Sequence, residues 1–502
     1  MLRKVRIILA VVMFVCITFL FVDLSGVAVQ CFGWMAKIQF LPALLALNVG
    51  AVALLLVLTF CLGRVYCSVV CPLGVMQDVF SRLGGKVWKN RFHYAKPRTW
   101  VRWGVVAAFV ALMLLGLNSI AILIAPYSAY GRVAANLFAP LYTGLNNLAA
   151  ALCAKMGCSA FGHVDVFVRS GLSLVVALVT FVLLGLLSFR WGRWWCGNIC
   201  PVGTLLGVVS RYALFRPVID TDKCNGCTKC VRNCKAMCID GERHQIDYSR
   251  CVACVDCLEN CRQGAIAFRY VGPLKHAAPK NANGDSPADP SRRKMMAATA
   301  MVTAGMALQA QERKVDGGLA VLEDKREPAR STAVKPAGAV SLKYFSNHCT
   351  ACQLCVAECP SQVLVPSKRL DTMLQPEMQF RRGFCRPECT RCSEICPAGA
   401  IKRVTPQEKS AIHIGTAVVV LENCVANRDG VHCGNCERHC PAGAIVMVPK
   451  EKGADPNLPI TLKIPTVDAS RCIGCGSCEY HCPSRPFSAI YVEGLQAHVT
   501  DN

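Results

Sequence analysis

Cys224-Asn-Gly-Cys227-Thr-Lys-Cys230-Val-Arg-Asn-Cys234 and Cys251-Val-Ala-Cys254-Val-Asp-Cys257-Leu-Glu-Asn-Cys261 decide how this chain is read. Both have the form C-x2-C-x2-C-x3-C. Four more quartets follow: Cys349, Cys352, Cys355 and Cys359; Cys385, Cys389, Cys392 and Cys396; Cys424, Cys433, Cys436 and Cys440; and Cys472, Cys475, Cys478 and Cys482. Each of these last four ends in Cys-Pro, at Pro360, Pro397, Pro441 and Pro483. Three thiolates in one tight loop cap three irons of a cubane, and the fourth cysteine points towards a second cluster. Zinc favours two C-x2-C pairs from separated segments. A long chain with dense C-x2-C-x2-C runs does not resemble a small secreted disulfide scaffold. The spacing predicts six [4Fe-4S] clusters on 24 of the 34 cysteines.

At 502 residues the chain has room for about three domains. A hydrophobic content of 53% points to membrane segments rather than to one larger soluble core. The formal charge of +23 would fit nucleic acid, but the basic residues cluster beside apolar spans, so no nucleic-acid partner is expected. Cluster ligation also adds negative thiolates that the formal count ignores.

Four apolar stretches, about Ile7 to Val22, Phe40 to Leu62, Trp103 to Ile124 and Leu172 to Phe189, approach the length of a membrane-spanning helix. No A-x-A-like cleavage site follows the first, so it reads as a span and not as a signal peptide. Basic residues flank alternate ends. Arg3, Lys4 and Arg6 precede span one; Arg64, Arg82, Lys86, Lys89, Arg91, Lys96, Arg98 and Arg102 follow span two; Arg190, Arg193, Arg211 and Arg216 follow span four. The segment from Pro126 to Ser170 has only Arg132, Lys155 and Arg169 and reads as an external loop. The positive-inside bias puts the first quartet pair in the cytoplasm.

Gly63-Arg64-Val-Tyr-Cys67-Ser-Val-Val-Cys71-Pro72-Leu-Gly74 aligns without gaps on Gly192-Arg193-Trp-Trp-Cys196-Gly-Asn-Ile-Cys200-Pro201-Val-Gly203. Two hairpins ending in the same motif on the same side make a parallel repeat about an axis along the membrane normal. Proline after cysteine suits the first turn of a helix, which puts Cys71 and Cys200 at helix N-termini where the dipole favours thiolate. Pseudosymmetry then gathers Cys67, Cys71, Cys196 and Cys200 into a redox or metal-binding thiol site; the alternative is that they are small packing residues. Cys16, Cys31 and Cys61 read as core. Cys153 and Cys158 read as a disulfide or as unpaired thiols, and Cys238 as packing or a spare ligand.

Crossed ligation predicts Cys224, Cys227 and Cys230 with Cys261, and Cys251, Cys254 and Cys257 with Cys234. Lys235 and Arg262 stand where proline usually follows the fourth cysteine. Residues 272–340 turn rich in Pro, Ala, Asn, Asp and Lys and read as a linker. Ser291-Arg292-Arg293-Lys294-Met295-Met296, followed by an apolar run, resembles a twin-arginine signal, although internal and lacking the usual Phe-Leu. One further crossing there places residues 341–502 outside; the alternative is an Ala/Met-rich amphipathic or anchoring helix in the cytoplasm.

The domain with four quartets, irregular at Cys385-x3-Cys389 and Cys424-x8-Cys433, resembles the periplasmic ferredoxins of the NapG and methylamine-utilisation MauM type. The membrane half, with two C-x3-C-P motifs and a following ferredoxin pair, resembles the membrane quinol dehydrogenase subunit NapH. The resemblances imply a fusion of the two. They also imply that outer motifs ligate jointly and inner motifs likewise: Cys349, Cys352 and Cys355 with Cys482; Cys472, Cys475 and Cys478 with Cys359; Cys385, Cys389 and Cys392 with Cys440; Cys424, Cys433 and Cys436 with Cys396. Pairing of neighbouring motifs is the alternative.

The expected architecture is therefore multi-domain. Residues 1–216 form an α-helical membrane bundle with four transmembrane helices and a two-fold repeat. Two α+β bacterial ferredoxin-like [4Fe-4S] domains follow, cytoplasmic over 217–271 and periplasmic over 341–502. The expected setting is a bacterial inner membrane, with membrane lipid, the quinol pool and a periplasmic cytochrome or terminal reductase as partners. The function implied is oxidation of quinol and delivery of electrons to a periplasmic acceptor. The other reading is a regulatory or maturation polyferredoxin that reduces the metal of another enzyme. No dinucleotide glycine fingerprint and no C-x-x-C-H haem motif is present.

Overall fold

The computed structural model describes residues 2–23, 26–88, 92–156, 162–164, 169–272, 323–449 and 462–500. The arginines of the twin-arginine-like segment and Cys158 lie outside these residues.

Helix α1 (Leu2–Val22) is the first long apolar helix, about 31 Å long at 1.5 Å per residue. The second predicted span is interrupted. Leu47 takes a left-handed φ of 53°, and the Asn48 side chain accepts from the Ala51 N–H (3.1 Å), so that α2 begins afresh over Val49–Leu62. The third predicted span breaks in the same manner at Gly116 (φ 75°), between α4 (Thr99–Leu114) and a short helix over Asn118–Ile124. The fourth forms one helix, α6 (Gly171–Trp191). Among the described residues three helices are long and apolar enough to cross a membrane: Leu2–Val22, Pro126–Lys155 and Gly171–Trp191. The middle one, α5, corrects the reading of Pro126 to Ser170 as a loop. Its hydropathy is only modest, because Tyr127, Tyr130, Arg132, Asn146 and Asn147 dilute the apolar residues, which is why periodicity did not single it out.

Contacts place the two ends of this bundle. At the proximal end, Arg3 meets Asp256 (2.8 Å) and Glu259 (2.6 Å), and the Leu214 N–H donates to Phe60 O at the end of α2 (2.9 Å). There too, Arg102 at the start of α4 donates to Ser249 Oγ (2.9 Å), and the Arg193 N–H after α6 donates to Lys235 O (2.8 Å). At the distal end, the Asn118 amide donates to Ser346 O (3.1 Å), Gln353 donates to Ser173 Oγ at the start of α6 (2.7 Å), and Gly399 packs on Ala46 ahead of α2. Residues 217–271 therefore cap one end of the bundle and residues 323–500 the other. Strands β1 (Phe215–Ile219) and β2 (Ile266–Tyr270) pair antiparallel and close the proximal module.

In the distal domain β3 (Ile412–Val419) pairs antiparallel with β6 (Ile490–Thr500), and β4 (Ile445–Pro449) with β5 (Lys463–Val467). Residues 323–340, read as the end of a linker, belong to this domain. Arg330 pairs with Glu479 (2.5 Å), the Met378 N–H donates to Val334 O (2.9 Å), and Val334 and Ala339 are fully buried. The proline and alanine content that suggested a linker is instead a close-packed strap.

Candidate iron–sulfur sites and the membrane thiols

In the proximal module two cavities are ringed by cysteine. One is lined by Cys224, Cys227, Cys230 and Cys261, the other by Cys234, Cys251, Cys254 and Cys257. These are the two crossed sets expected from the spacing. Cys238 also lines the second cavity, with its Sγ 3.6 Å from that of Cys234. Four of the six quartet loops are wound the same way. The residue after the second cysteine is left-handed at Thr228 (φ 55°), Val255 (φ 53°), Gln353 (φ 61°) and Gly476 (φ 77°). For β-branched Thr228 and Val255 that conformation costs about 1–3 kcal/mol, which the loop sustains to turn its thiols inward.

The distal domain departs from the arrangement the resemblance implied. Cys349, Cys352 and Cys355 lie within electrostatic reach of Cys396, and Cys385 and Cys392 within reach of Cys359. Cys436 faces Cys424, Cys433 and Cys482, while Cys472, Cys475 and Cys478 face Cys440. Cys359, Cys385, Cys389 and Cys392 line one cavity. Neighbouring motifs thus pair, the first with the second and the third with the fourth. The outer-with-outer arrangement is corrected. The β3–β6 and β4–β5 strand pairs both close the chain around motifs three and four, which holds that unit together without reaching motifs one and two.

These cages suit a cluster. Burial pushes the Cys352 thiol up to about 11 and those of Cys254, Cys436 and Cys475 up to about 12, with neighbouring cysteines adding to the shift. Backbone N–H groups already point at sulfur: Ile401 at Cys396 (3.5 Å), Ala444 at Cys440 (3.3 Å), Ala489 at Cys482 (3.3 Å) and Ala417 at Cys472 (3.4 Å). Such donors tune cluster potential. Among the described residues no three His, Cys, Asp or Glu side chains converge closely enough for a single metal ion.

Within the bundle, Cys67, Cys71, Cys196 and Cys200 are all buried and lie within electrostatic reach of one another. Both motifs sit in turns that re-enter the bundle. After α2 ends at Gly63 (φ 74°), the chain folds back through 64–71, and Tyr66 Oη accepts from the Phe40 N–H (3.2 Å). Helices α3 (Pro72–Val87) and α7 (Pro201–Ser210) start at the prolines, as expected from Cys-Pro. The Cys200 sulfur accepts from the Gly203 N–H (3.3 Å).

The residues that organise this site were missed in the sequence, where they counted as loop charges. Arg64 and Arg193 are 0% and 1% exposed. Arg64 donates to Cys196 O (3.1 Å) and Ser249 O (3.1 Å), and Arg193 donates to Cys67 O. Each arginine lies against the glycine that follows the other Cys-Pro, where a Cβ at Gly74 or Gly203 would collide with the carbonyl of Cys67 or Cys196. Asp78 gathers Arg193 (2.6 Å), Arg6 (3.1 Å) and Lys235 (2.9 Å), and Lys235 continues to Asp256 (3.0 Å). Lys235, noted only as a replacement for proline, therefore ties the proximal module to the bundle. The arginine repeat was the signal that could have revealed the pair.

The 4Fe-4S binding domain family matches residues 43–91 and 172–220, the two Cys-Pro units, and the 4Fe-4S dicluster domain family matches 430–485. A methylamine utilization ferredoxin-type protein MauM of Methylophilus methylotrophus is 36% identical over 31% of this chain and 69% of its own length. The MauM of Methylobacillus flagellatus is 34% identical over 31% of this chain and 66% of its own. The ferredoxin-type protein NapH of Haemophilus influenzae is 31% identical over 39% of this chain and 55% of its own. The chain thus spans between about half and just over two thirds of these relatives. No solved structure matches it. With 4Fe-4S domains recurring along an apolar helical chain and a MauM matched over more than two thirds of its length, this chain belongs to the MauM ferredoxin-type protein family.

Proposed function

We propose that this chain is a quinol-oxidising electron conduit of a bacterial inner membrane, a NapH-like membrane half joined to a NapG/MauM-like domain. Four crossings and a two-fold repeat build the bundle, residues 217–271 face the cytoplasm, and residues 323–500 face the periplasm. Six [4Fe-4S] clusters occupy the cysteine quartets and carry the electrons, which leave to a periplasmic cytochrome or terminal reductase.

The observation that carries this reading is the placement of two cysteine-rich modules at opposite ends of one apolar bundle. A polyferredoxin confined to one compartment has no need of that separation. The quinol half rests on the distal junction. Tyr127 Oη and Ser128 Oγ are buried there without a partner among the described residues, and Tyr127 lies within electrostatic reach of Cys352. These hydroxyls are the groups we assign to a quinol headgroup, since buried unpaired hydroxyls call for a polar partner. The test is anaerobic reduction of the purified protein by a quinol analogue, followed by cluster absorbance. Bleaching in the wild type and its loss in Tyr127→Phe fit the proposal; clusters reducible by dithionite but never by quinol contradict it.

A further inference from the structure

The four thiols in the membrane half sit among an excess of buried positive charge. Among the described residues Arg64 has no carboxylate partner; its hydrogen-bond acceptors are two backbone carbonyls and the Cys67 sulfur at 3.7 Å. Arg193 and Arg6 share the carboxylate of Asp78 with Lys235, which also reaches Asp256 (3.0 Å). Arg64 Nε, Arg193 Nη2 and Gln77 Nε2 are buried donors without a partner among the described residues, and Gln77 is itself on the site, accepting from Cys196 Sγ at 3.1 Å. A guanidinium taken out of water without an anion is costly, so this pocket is built for negative charge.

Four thiolates around one cofactor supply that charge. An iron–sulfur cluster carries net negative charge once ligated by four cysteines. Its halves would come from the two segments that each match the 4Fe-4S binding domain family while holding only two of these cysteines.

We propose that Cys67, Cys71, Cys196 and Cys200 hold a seventh iron–sulfur cluster, shared across the two repeats, with Arg64 and Arg193 balancing its charge. This rests on the electron-transfer reading above. The position suits a relay. On one side Arg64 reaches Ser249, two residues before Cys251 of a proximal cage; on the other, Tyr66 faces both these thiols and the Phe40 turn towards the distal end. Electron tunnelling weakens exponentially with distance, and a cluster midway divides one long step into two. The step is a one-electron exchange in which the site takes an electron from one neighbour and returns it to the next, with no bond made or broken.

The experiment is iron and sulfide counting with Mössbauer spectra on the anaerobically purified full chain. The wild type should hold about 28 irons, and the Cys67→Ser/Cys71→Ser/Cys196→Ser/Cys200→Ser variant about 24 with the other six clusters unchanged. Arg64→Lys should keep the iron and shift the potential of one cluster only. A wild type with about 24 irons and four alkylatable bundle thiols overturns the seventh cluster and leaves the six-cluster reading standing. Far fewer than 24 irons overturns the six-cluster reading itself. Because the wild-type count decides alone, poor folding of the quadruple variant does not shelter the proposal.

Discussion

Arg64 Nη2 donates to the carbonyl oxygen of Cys196, 3.1 Å away, and Arg193 returns the same contact to Cys67. Each arginine thus braces the cysteine turn of the other repeat. A re-entrant turn inside a bundle leaves carbonyls that water cannot reach, and these arginines satisfy them. Arg64→Met should lower stability by about 2–4 kcal/mol, because two buried carbonyls lose a charged donor. Arg64→Lys should recover part of this, since one ammonium cannot span both acceptors with a planar fork. Thermal unfolding in detergent measures both; equal stability of wild type and Arg64→Met would contradict the bracing role.

Asp78 is the second point of convergence. Asp78→Asn leaves Arg6, Arg193 and Lys235 buried without their shared anion, and a loss of about 3–5 kcal/mol is expected. Lys235 also leads to Asp256, so the proximal module should loosen with it. Limited proteolysis should then cleave within residues 217–271 faster than in the wild type.

Neighbour pairing in the distal domain gives a discriminating pattern. Loss of one fourth-position thiol should release the cluster of the adjacent motif. In Cys396→Ser, alkylation after mild oxidation should label Cys349, Cys352 and Cys355 first. Outer-with-outer pairing would instead expose Cys424, Cys433 and Cys436. Peptide mass mapping separates the two outcomes.

His498 gives a pH signature. Its backbone N–H donates to Val340 O (2.7 Å), and burial pulls the ring down to about 4 from its ordinary 6.5. Between those values the unfolded chain binds the proton more readily than the folded one. Stability from this group is therefore complete above pH 6.5 and drains away as pH falls towards 4. His498→Phe should flatten that part of the unfolding temperature profile; an unchanged slope would assign the loss to other groups.

Much of this was readable in the chain. C-x2-C spacing announced the quartets, and Cys71-Pro72 and Cys200-Pro201 announced helix starts, because both patterns are local. The crossed sets in the proximal module follow from two adjacent motifs and nothing else. In the distal domain four motifs allow several closures, and the choice is made by strand pairing at a distance. The breaks at Leu47 and Gly116 lie inside apolar runs that hydropathy cannot divide. Arg64 and Arg193 passed for loop charges because sequence gives no depth. Only their neighbours, a glycine and a carbonyl from the other repeat, reveal burial.

On this reading electrons pass through the bundle between modules at its opposite ends. Proteoliposomes with the proximal module facing outward test it, using a membrane-impermeant reductant added outside and absorbance or EPR of the clusters of residues 323–500 inside. The account predicts that the enclosed clusters become reduced after the outer pair. Reduction that stops at the clusters of residues 217–271, with the enclosed ones still oxidised, would contradict it.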